Sequence, residues 1–190
     1  MRSRPRRLLA LAGLAALLLV SFWPVVVRRQ TLFPRLPGVL PAASAGPAFL
    51  LDPMDTGWQN YPLALFVNHS WGGGNPPIWN RFSGCGEPLI MSGLGAVTSP
   101  LRWWTAFVPP SPAVWDYFLL ARLMLAGCLA FVFAGRMGLG LAGSCAAGTA
   151  FMLSGHLVLN LNQAFIDGEV LIPAVGLGIL EACAGRRGGG

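Results

Sequence analysis

The sequence predicts an all-α membrane protein with about four transmembrane helices and a long external first loop that carries short surface helices. Three observations carry that expectation. Of the 190 residues, 54% are hydrophobic and only 11% are charged, where soluble domains hold roughly 25% charged residues; mean hydropathy is +0.60. The apolar residues collect into runs of about the length a bilayer core requires, roughly 20 residues. The basic residues stand mostly at the ends of those runs, where topology signals belong.

Residues 1–7 form a cytoplasmic basic head containing Arg2, Arg4, Arg6 and Arg7. Leu8–Val27 follows as an unbroken apolar run, the first span (8–27). A basic n-region before an apolar h-region also describes a signal peptide. The run is nevertheless as long as a span, and its end, SFWPVVVRR, lacks a small-x-small cleavage site. A retained helix with its N-terminus inside is therefore expected.

Residues 28–112 form the external loop. Gln30–Gly46 is a Pro- and Ala-rich connector without a clear period. The polar stretch Phe49–Pro88 then holds three of the seven acidic residues (Asp52, Asp55 and Glu87), His69 and three of the seven tryptophans. Irregular backbone and ionisable groups are costly inside a bilayer, so such a stretch belongs outside it. Within it, Gln59–Ser70 is expected to form a short helix on the membrane surface, because Leu63, Phe66 and Val67 share a face at i, i+3, i+4 spacing. The segment WGGGNPPIWN ends any helix through Gly freedom and Pro restriction. Trp103, Trp104 and Trp115 gather where the chain returns to the bilayer, as interfacial aromatics do.

The second span covers 113–135 and is interrupted by Arg122. A tight turn at Arg136–Met137–Gly138 leads to the third span, 139–159, rich in the small residues that let membrane helices approach closely. Residues 160–169 make a second external loop, and 170–184 a short fourth span carrying Glu181. With the N-terminus inside, Arg136, Arg186 and Arg187 all fall on the cytoplasmic side. Arg28, Arg29 and Arg35 do not, but long translocated loops obey the charge rule poorly. The arrangement puts Asp52, Asp55, His69, Glu87, Asp167 and Glu169 on one external face.

Composition also argues against other classes. All 13 basic residues are Arg and the isoelectric point is near 10.1, yet they form no stripe with interleaved aromatics, so nucleic acid is not an expected partner. Cys128, Cys145 and Cys183 fall in apolar runs and Cys85 stands alone in the polar stretch, which gives neither a disulfide framework nor a Cys/His metal site. His69 and His156 have no ligand partner at useful spacing, and no metal-binding residues are assigned.

Asp55-x-x-x-Gln59-x-x-Pro62, then Pro77–Ile78–Trp79–Asn80, then Gly84-x-Gly86-x-Pro88 resembles bacterial YfhO-type membrane proteins. The likeness continues through Arg136–Met137–Gly138–Leu139, the Leu153–Ser154–Gly155 turn, and Asp167 before Leu171–Ile172–Pro173, so that it covers about Leu50 to Glu181. Ile78 stands where the family usually has Leu, and His156 where an aromatic or apolar residue is usual. The resemblance implies a polytopic glycosyltransferase of the GT-C class, which moves a sugar from a polyprenyl-phosphate donor to an extracytoplasmic acceptor such as a cell-envelope glycopolymer or lipid. It further implies a bacterial plasma-membrane location, membrane lipids and a lipid-linked sugar as partners, and a truncated GT-C-like architecture. Such enzymes have ten or more helices, so the chain is expected to be the N-terminal part of a longer protein.

Inverting glycosyl transfer needs a base for the acceptor hydroxyl and positive charge for the departing phosphate. Asp55 matches the family Asp and is the candidate catalytic base; the competing role is N-cap of the helix that follows. Gln59, Trp79 and Asn80 belong to the motifs and are assigned to substrate binding. Asp52, before Pro53, joins them or serves the turn. For the phosphate the candidates are Arg122, roughly 7–8 Å into the second span by helical rise, and the loop residues Arg81 and Arg102. An arginine at Arg122 either snorkels or pairs, and a lipid phosphate suits its fork. Asp167 and Glu169 are the groups that would bind an acceptor or a divalent metal, or else are ordinary solvated loop residues.

Two other classes compete: a non-catalytic membrane scaffold, and a transporter subunit. A transporter would place ionisable groups near the bilayer midplane, whereas here the acids gather outside. The topology is tested by a Ser70→Cys variant lacking the native cysteines. Labelling by an impermeant reagent in intact cells is expected, and labelling only after the membrane is broken would overturn the arrangement.

Overall fold

A computed structural model describes residues 4–32, 59–92 and 97–187 of the chain. Asp52 and Asp55 lie outside the described residues. The protein is 70% helical, with nine α-helices and one 3₁₀ helix among the described residues. Two stretches, Pro112–Arg136 and Leu141–Leu159, are long and apolar enough to cross a membrane.

Helix α1, Arg4–Ser21, takes in part of the basic head and ends earlier than the apolar run does. The physical cause is Pro24, which has no N–H to return to the preceding turn; a single turn, α2 (Trp23–Val26), follows. Helix α3, Tyr61–Gly72, matches the helix expected over Gln59–Ser70, shifted by two residues, with Leu63 and Val67 buried and Phe66 half-buried. Its N-cap is Asn60. A two-stranded antiparallel hairpin follows, β1 (Trp79–Asn80) and β2 (Glu87–Pro88), in the register Trp79 to Pro88 and Asn80 to Glu87. The single turn α4 (Leu89–Ser92) and the 3₁₀ helix Pro100–Ala106 come next.

Helix α5, Pro112–Arg136, is the second expected span to within one residue at each end. Ser111 Oγ accepts from Val114 N at 3.3 Å and Pro112 takes the first helical position, the arrangement that favours a clean start. Gly138, at φ +92°, ends the run in a conformation that glycine adopts without penalty. The third expected span is divided into α6 (Leu141–Met152) and α7 (Gly155–Leu159). Ser154 causes the break: its Oγ accepts from Leu157 N at 3.3 Å and so caps a new helix. The expected second external loop contains α8, Ile166–Val170. Helix α9, Ile172–Arg187, has an apolar part, Ile172–Ala184, that is shorter than the span length.

The chain divides into two compact units. One, the helical unit, comprises Met1–Trp23, Leu120–Val158 and Gly168–Gly190. Its core is built from Leu14 and Leu18 of α1, Leu123, Ala126 and Phe131 of α5, and Met152 of α6. Small residues set the spacing of α5 against α6. A Cβ on Gly148 would stand 2.9 Å from the carbonyl oxygen of Gly127 and 3.1 Å from Leu14, while one on Gly127 would meet Met152 at 3.0 Å. Ile172, Val175 and Ile179 form an exposed apolar stripe along α9, at the i, i+3, i+7 spacing of one helical face.

The other, the loop-rich unit, comprises Pro24–Leu119 and Leu159–Asp167. Helix α3 packs on the 3₁₀ helix, held by Asn68 Nδ2 donating to the Thr105 carbonyl at 2.7 Å. Trp115, Leu119, Leu161 and Ile166 supply its apolar centre.

Since the obstacle to a side chain at Gly148 is backbone, relief requires the helices to separate. Gly148→Ala is expected to lower stability by about 1–3 kcal/mol. Gly13→Ala, at a position in α1 with nothing within 4 Å, should raise it by about 0.5–1 kcal/mol. Thermal unfolding of the two variants in detergent checks both, and equal melting temperatures would contradict the close approach.

Candidate functional site

The hairpin brings together two sequence motifs. Trp79 and Asn80 form β1, while Glu87 and Pro88 form β2, and Leu89 N extends the ladder by donating to Ile78 O at 2.9 Å. The loop between them turns on Gly84 (φ +56°) and Gly86 (φ +101°). Gly86 has a second reason to be glycine, because a Cβ there would come within 2.5 Å of the Trp79 indole nitrogen. Asn80 Oδ1 accepts from Phe82 N at 3.0 Å, a local turn bond, and Ser83 Oγ donates to Glu87 Oε2 at 3.0 Å.

A pocket of about 400 Å³ opens between this hairpin and the start of α3. Gln59, Asn80, Ser83 and Glu87 present polar groups to it, and Pro62, Leu63, Phe66 and Phe82 supply apolar surface. Phe66 and Phe82 meet edge to face with ring centroids 5.8 Å apart. The Arg81 guanidinium lies 5.0 Å from the centre of the Phe82 ring. A concave site of this size, with a few convergent polar groups and aromatic walls, is the usual form of a small-molecule pocket. Two amides, a hydroxyl and a carboxylate offer both donors and acceptors, which suits a ligand rich in hydroxyl groups.

Elsewhere in the loop-rich unit stands a buried ion pair. Arg102 Nε donates to Asp167 Oδ2 at 2.7 Å, and the two side chains are only 6% and 5% exposed. Ser99 Oγ donates to the same oxygen at 2.9 Å. The guanidinium lies 5.6 Å from the centre of the Trp115 ring and 5.7 Å from that of Phe118, close enough for cation–π attraction. Arg102 Nη2 has no hydrogen-bond acceptor among the described residues. Arg102 also lines a small cavity of about 20 Å³, large enough for one water.

Asn162 ties the unit together. Its Oδ1 accepts from Trp115 Nε1 at 3.1 Å, its backbone carbonyl accepts from Asn60 Nδ2 at 3.3 Å, and its Nδ2 donates to the Leu32 carbonyl at 3.5 Å. Asp116 holds the same segment, accepting from Leu32 N at 2.8 Å and from Thr31 Oγ1 at 3.1 Å. Tyr61 donates to the Pro110 carbonyl at 3.0 Å, and partial burial pushes its hydroxyl above the ordinary range.

Of the residues expected to bind substrate, Gln59 and Asn80 line the 400 Å³ pocket, and Trp79 and Arg81 flank Asn80 on the hairpin. Arg102 and Asp167 are joined to one another. Glu169 pairs with His156 through Nε2 at 2.7 Å, in the helical unit. Arg122, on α5, is 2% exposed. No cluster of three or more His, Cys, Asp or Glu able to hold a metal stands among the described residues.

Sequence reasoning passed over three functional candidates. Glu87 was visible as the acid of Gly84-x-Gly86-Glu87-Pro88, with Ser83 four residues before it. Asp116 was visible as an acid inside an apolar run. Asn162 carried no signal, since its partners lie up to 130 residues away. Comparison of the chain with family models, with curated proteins and with solved structures finds no match.

Removing one member of a buried pair leaves the other charge uncompensated, at a cost of roughly 3–5 kcal/mol. Arg102→Leu and Asp167→Asn are each expected to destabilise the protein by about that much. The double variant should cost less than the sum of the two, because no lone charge remains. Additive losses in denaturant unfolding would contradict the pairing.

Proposed function

We propose that the chain is a multi-pass membrane protein with a cytoplasmic N-terminus and that it takes part in GT-C-like sugar transfer from a polyprenyl-phosphate donor on the outer side of a bacterial plasma membrane. One observation carries this reading: the three motifs of the YfhO-type resemblance meet at one pocket. Gln59 and Pro62 come from the first motif, Asn80 from the second, and Glu87 from within the third. Pairing in the hairpin sets Asn80 opposite Glu87, and the start of α3 adds Gln59 and Pro62 to the same wall, so that polar groups of all three motifs converge where one ligand could reach them. The exposed Ile172, Val175 and Ile179 stripe supports a lipid-facing α9, and hence more spans than the two helices of full length.

On this reading the pocket holds the sugar. Asn80, Gln59 and Glu87 bond its hydroxyls, and the apolar wall with Phe66 and Phe82 covers the ring. Asp55, four residues before Gln59 in the chain, accepts the proton of the acceptor hydroxyl as that oxygen attacks the anomeric carbon. The bond from that carbon to the phosphate oxygen breaks with inversion, and the phosphate leaves with both bonding electrons. Arg81, beside the pocket, stabilises the departing charge.

The test is sugar transfer in liposomes from a polyprenyl-phosphate-linked donor. Asp55→Asn keeps the shape of the side chain but cannot take the proton, so turnover should fall about 10²–10⁴-fold with donor affinity little changed. Glu87→Gln should instead weaken donor binding. Normal turnover in the Asp55 variant would remove the proposed base. Donor binding unaffected by both Glu87→Gln and Asn80→Ala would leave the pocket as part of a non-catalytic scaffold.

A further inference from the structure

A second concave surface lies in the helical unit. It is a groove of about 530 Å³ between the start of α1, the end of α5 and the start of α6. Arg6, Arg7 and Arg136 line it, and so do Leu11, Phe131 and Leu141. We propose that this groove binds the headgroup of an anionic phospholipid, with the phosphate among the arginines and the upper acyl chain along the apolar wall. The inference is independent of sugar transfer and stands or falls without it.

Charge is the first argument. Three guanidinium groups line the groove and, among the described residues, no carboxylate does. Arg136 Nη1 pairs with Glu181 Oε1 beside it at 2.6 Å, and both side chains are more than half exposed. Guanidinium forks match phosphate oxygens in pairs, which a point charge does not. The backbone adds to this field. Gly140, the N-cap of α6, also lines the groove, and its residue type provides no side-chain cap. The first N–H groups of the 12-residue helix therefore have no carbonyl within their own helix, and the positive end of its dipole meets the groove.

The apolar wall decides between a lipid and a free phosphate. Leu11 lies one turn beyond Arg7 on α1, about 6 Å further along the axis, and Phe131 lies just over one turn before Arg136 on α5. Hydrocarbon thus begins where charge stops, on both sides of the groove. Val132, Leu139 and Leu141 are 43%, 47% and 43% exposed at its rim, a poor surface for a hydrated ion and a good one for an acyl chain. The groove also lies where both span-length stretches have an end, at Arg136 and Leu141. Basic pockets between helices at the cytoplasmic boundary bind anionic headgroups for the same reasons.

The experiment is native mass spectrometry of the full chain in neutral detergent, titrated with phosphatidylglycerol and with phosphatidylcholine of identical acyl chains. Phosphatidylglycerol is expected to bind at least about tenfold more tightly, with a loss of about fivefold for each arginine removed in Arg6→Gln and Arg6→Gln/Arg7→Gln. Arg28→Gln/Arg29→Gln, equally basic but outside the groove, should leave binding unchanged. Glu181→Gln keeps every arginine and removes the competing carboxylate, so it should raise affinity even if the double arginine variant fails to insert. Equal affinity for the two lipids would overturn the site, as would a matching loss in the Arg28/Arg29 variant or no gain in Glu181→Gln. Water-soluble glycerol phosphate tests the apolar wall: binding as tight as that of the lipid would make the groove a plain anion site and overturn the proposal.

Discussion

A guanidinium buried to 6% exposure must be neutralised where it stands, because an uncompensated charge inside a protein costs several kcal/mol. Arg102 meets that requirement through Asp167, and the requirement organises the loop-rich unit. It draws residues 159–167 against the 3₁₀ helix, and Ser99 satisfies the carboxylate further. It also seats the cation near two aromatic rings, Trp115 and Phe118, both on the first turns of α5. Asn162, five residues before Asp167, then closes onto Asn60, Trp115 and Leu32. With α3 fixed in this way, Gln59 and the hairpin define the pocket between them. The proposed sugar site therefore rests on an ion pair that does not line it.

The same protein solves the opposite problem in the helical unit. There the buried contact of α5 with α6 is made by close approach, since Gly127 and Gly148 let the two helices come to backbone distance, while the ion pairs Arg136–Glu181 and His156–Glu169 stand at the surface. Small residues suit a setting where apolar side chains gain little from leaving lipid, so that packing and close contact carry the association.

How much of this was legible in the sequence depends on range. Helix α5 could be read to within a residue at each end, because its apolar run, Pro112 and the Arg136–Met137–Gly138 turn are all local signals. Helix α3 was legible from three apolar residues, and both its ends moved by two residues, the start to a cap at Asn60 and the end to Gly72. The division of the third span was written in Ser154, but a cap inside an apolar run is outweighed by hydropathy when the run is scored whole. The Arg102–Asp167 pair, 65 residues apart, and the bonds of Asn162 were not legible, since no local pattern marks which polar residues will meet. The pocket was half visible: its motifs stood out, but their meeting needed the fold, and Glu87 was noticed only as one acid among several. Asp52 and Asp55 lie outside the described residues, so the most consequential role assigned from the sequence rests on the motif itself.

The loop-rich unit is split in the chain, with its last nine residues placed after α5, α6 and α7. A ribosome makes the chain from one end, and segments generally fold as they emerge. Arg102 is therefore synthesised 65 residues before its carboxylate exists. Until Asp167 appears, the guanidinium has to remain hydrated or be sheltered by another partner, and the unit cannot close over it. Completion of the loop-rich unit is thus timed by synthesis of the helical pair that separates its two parts, and that pair is made before the pocket can mature.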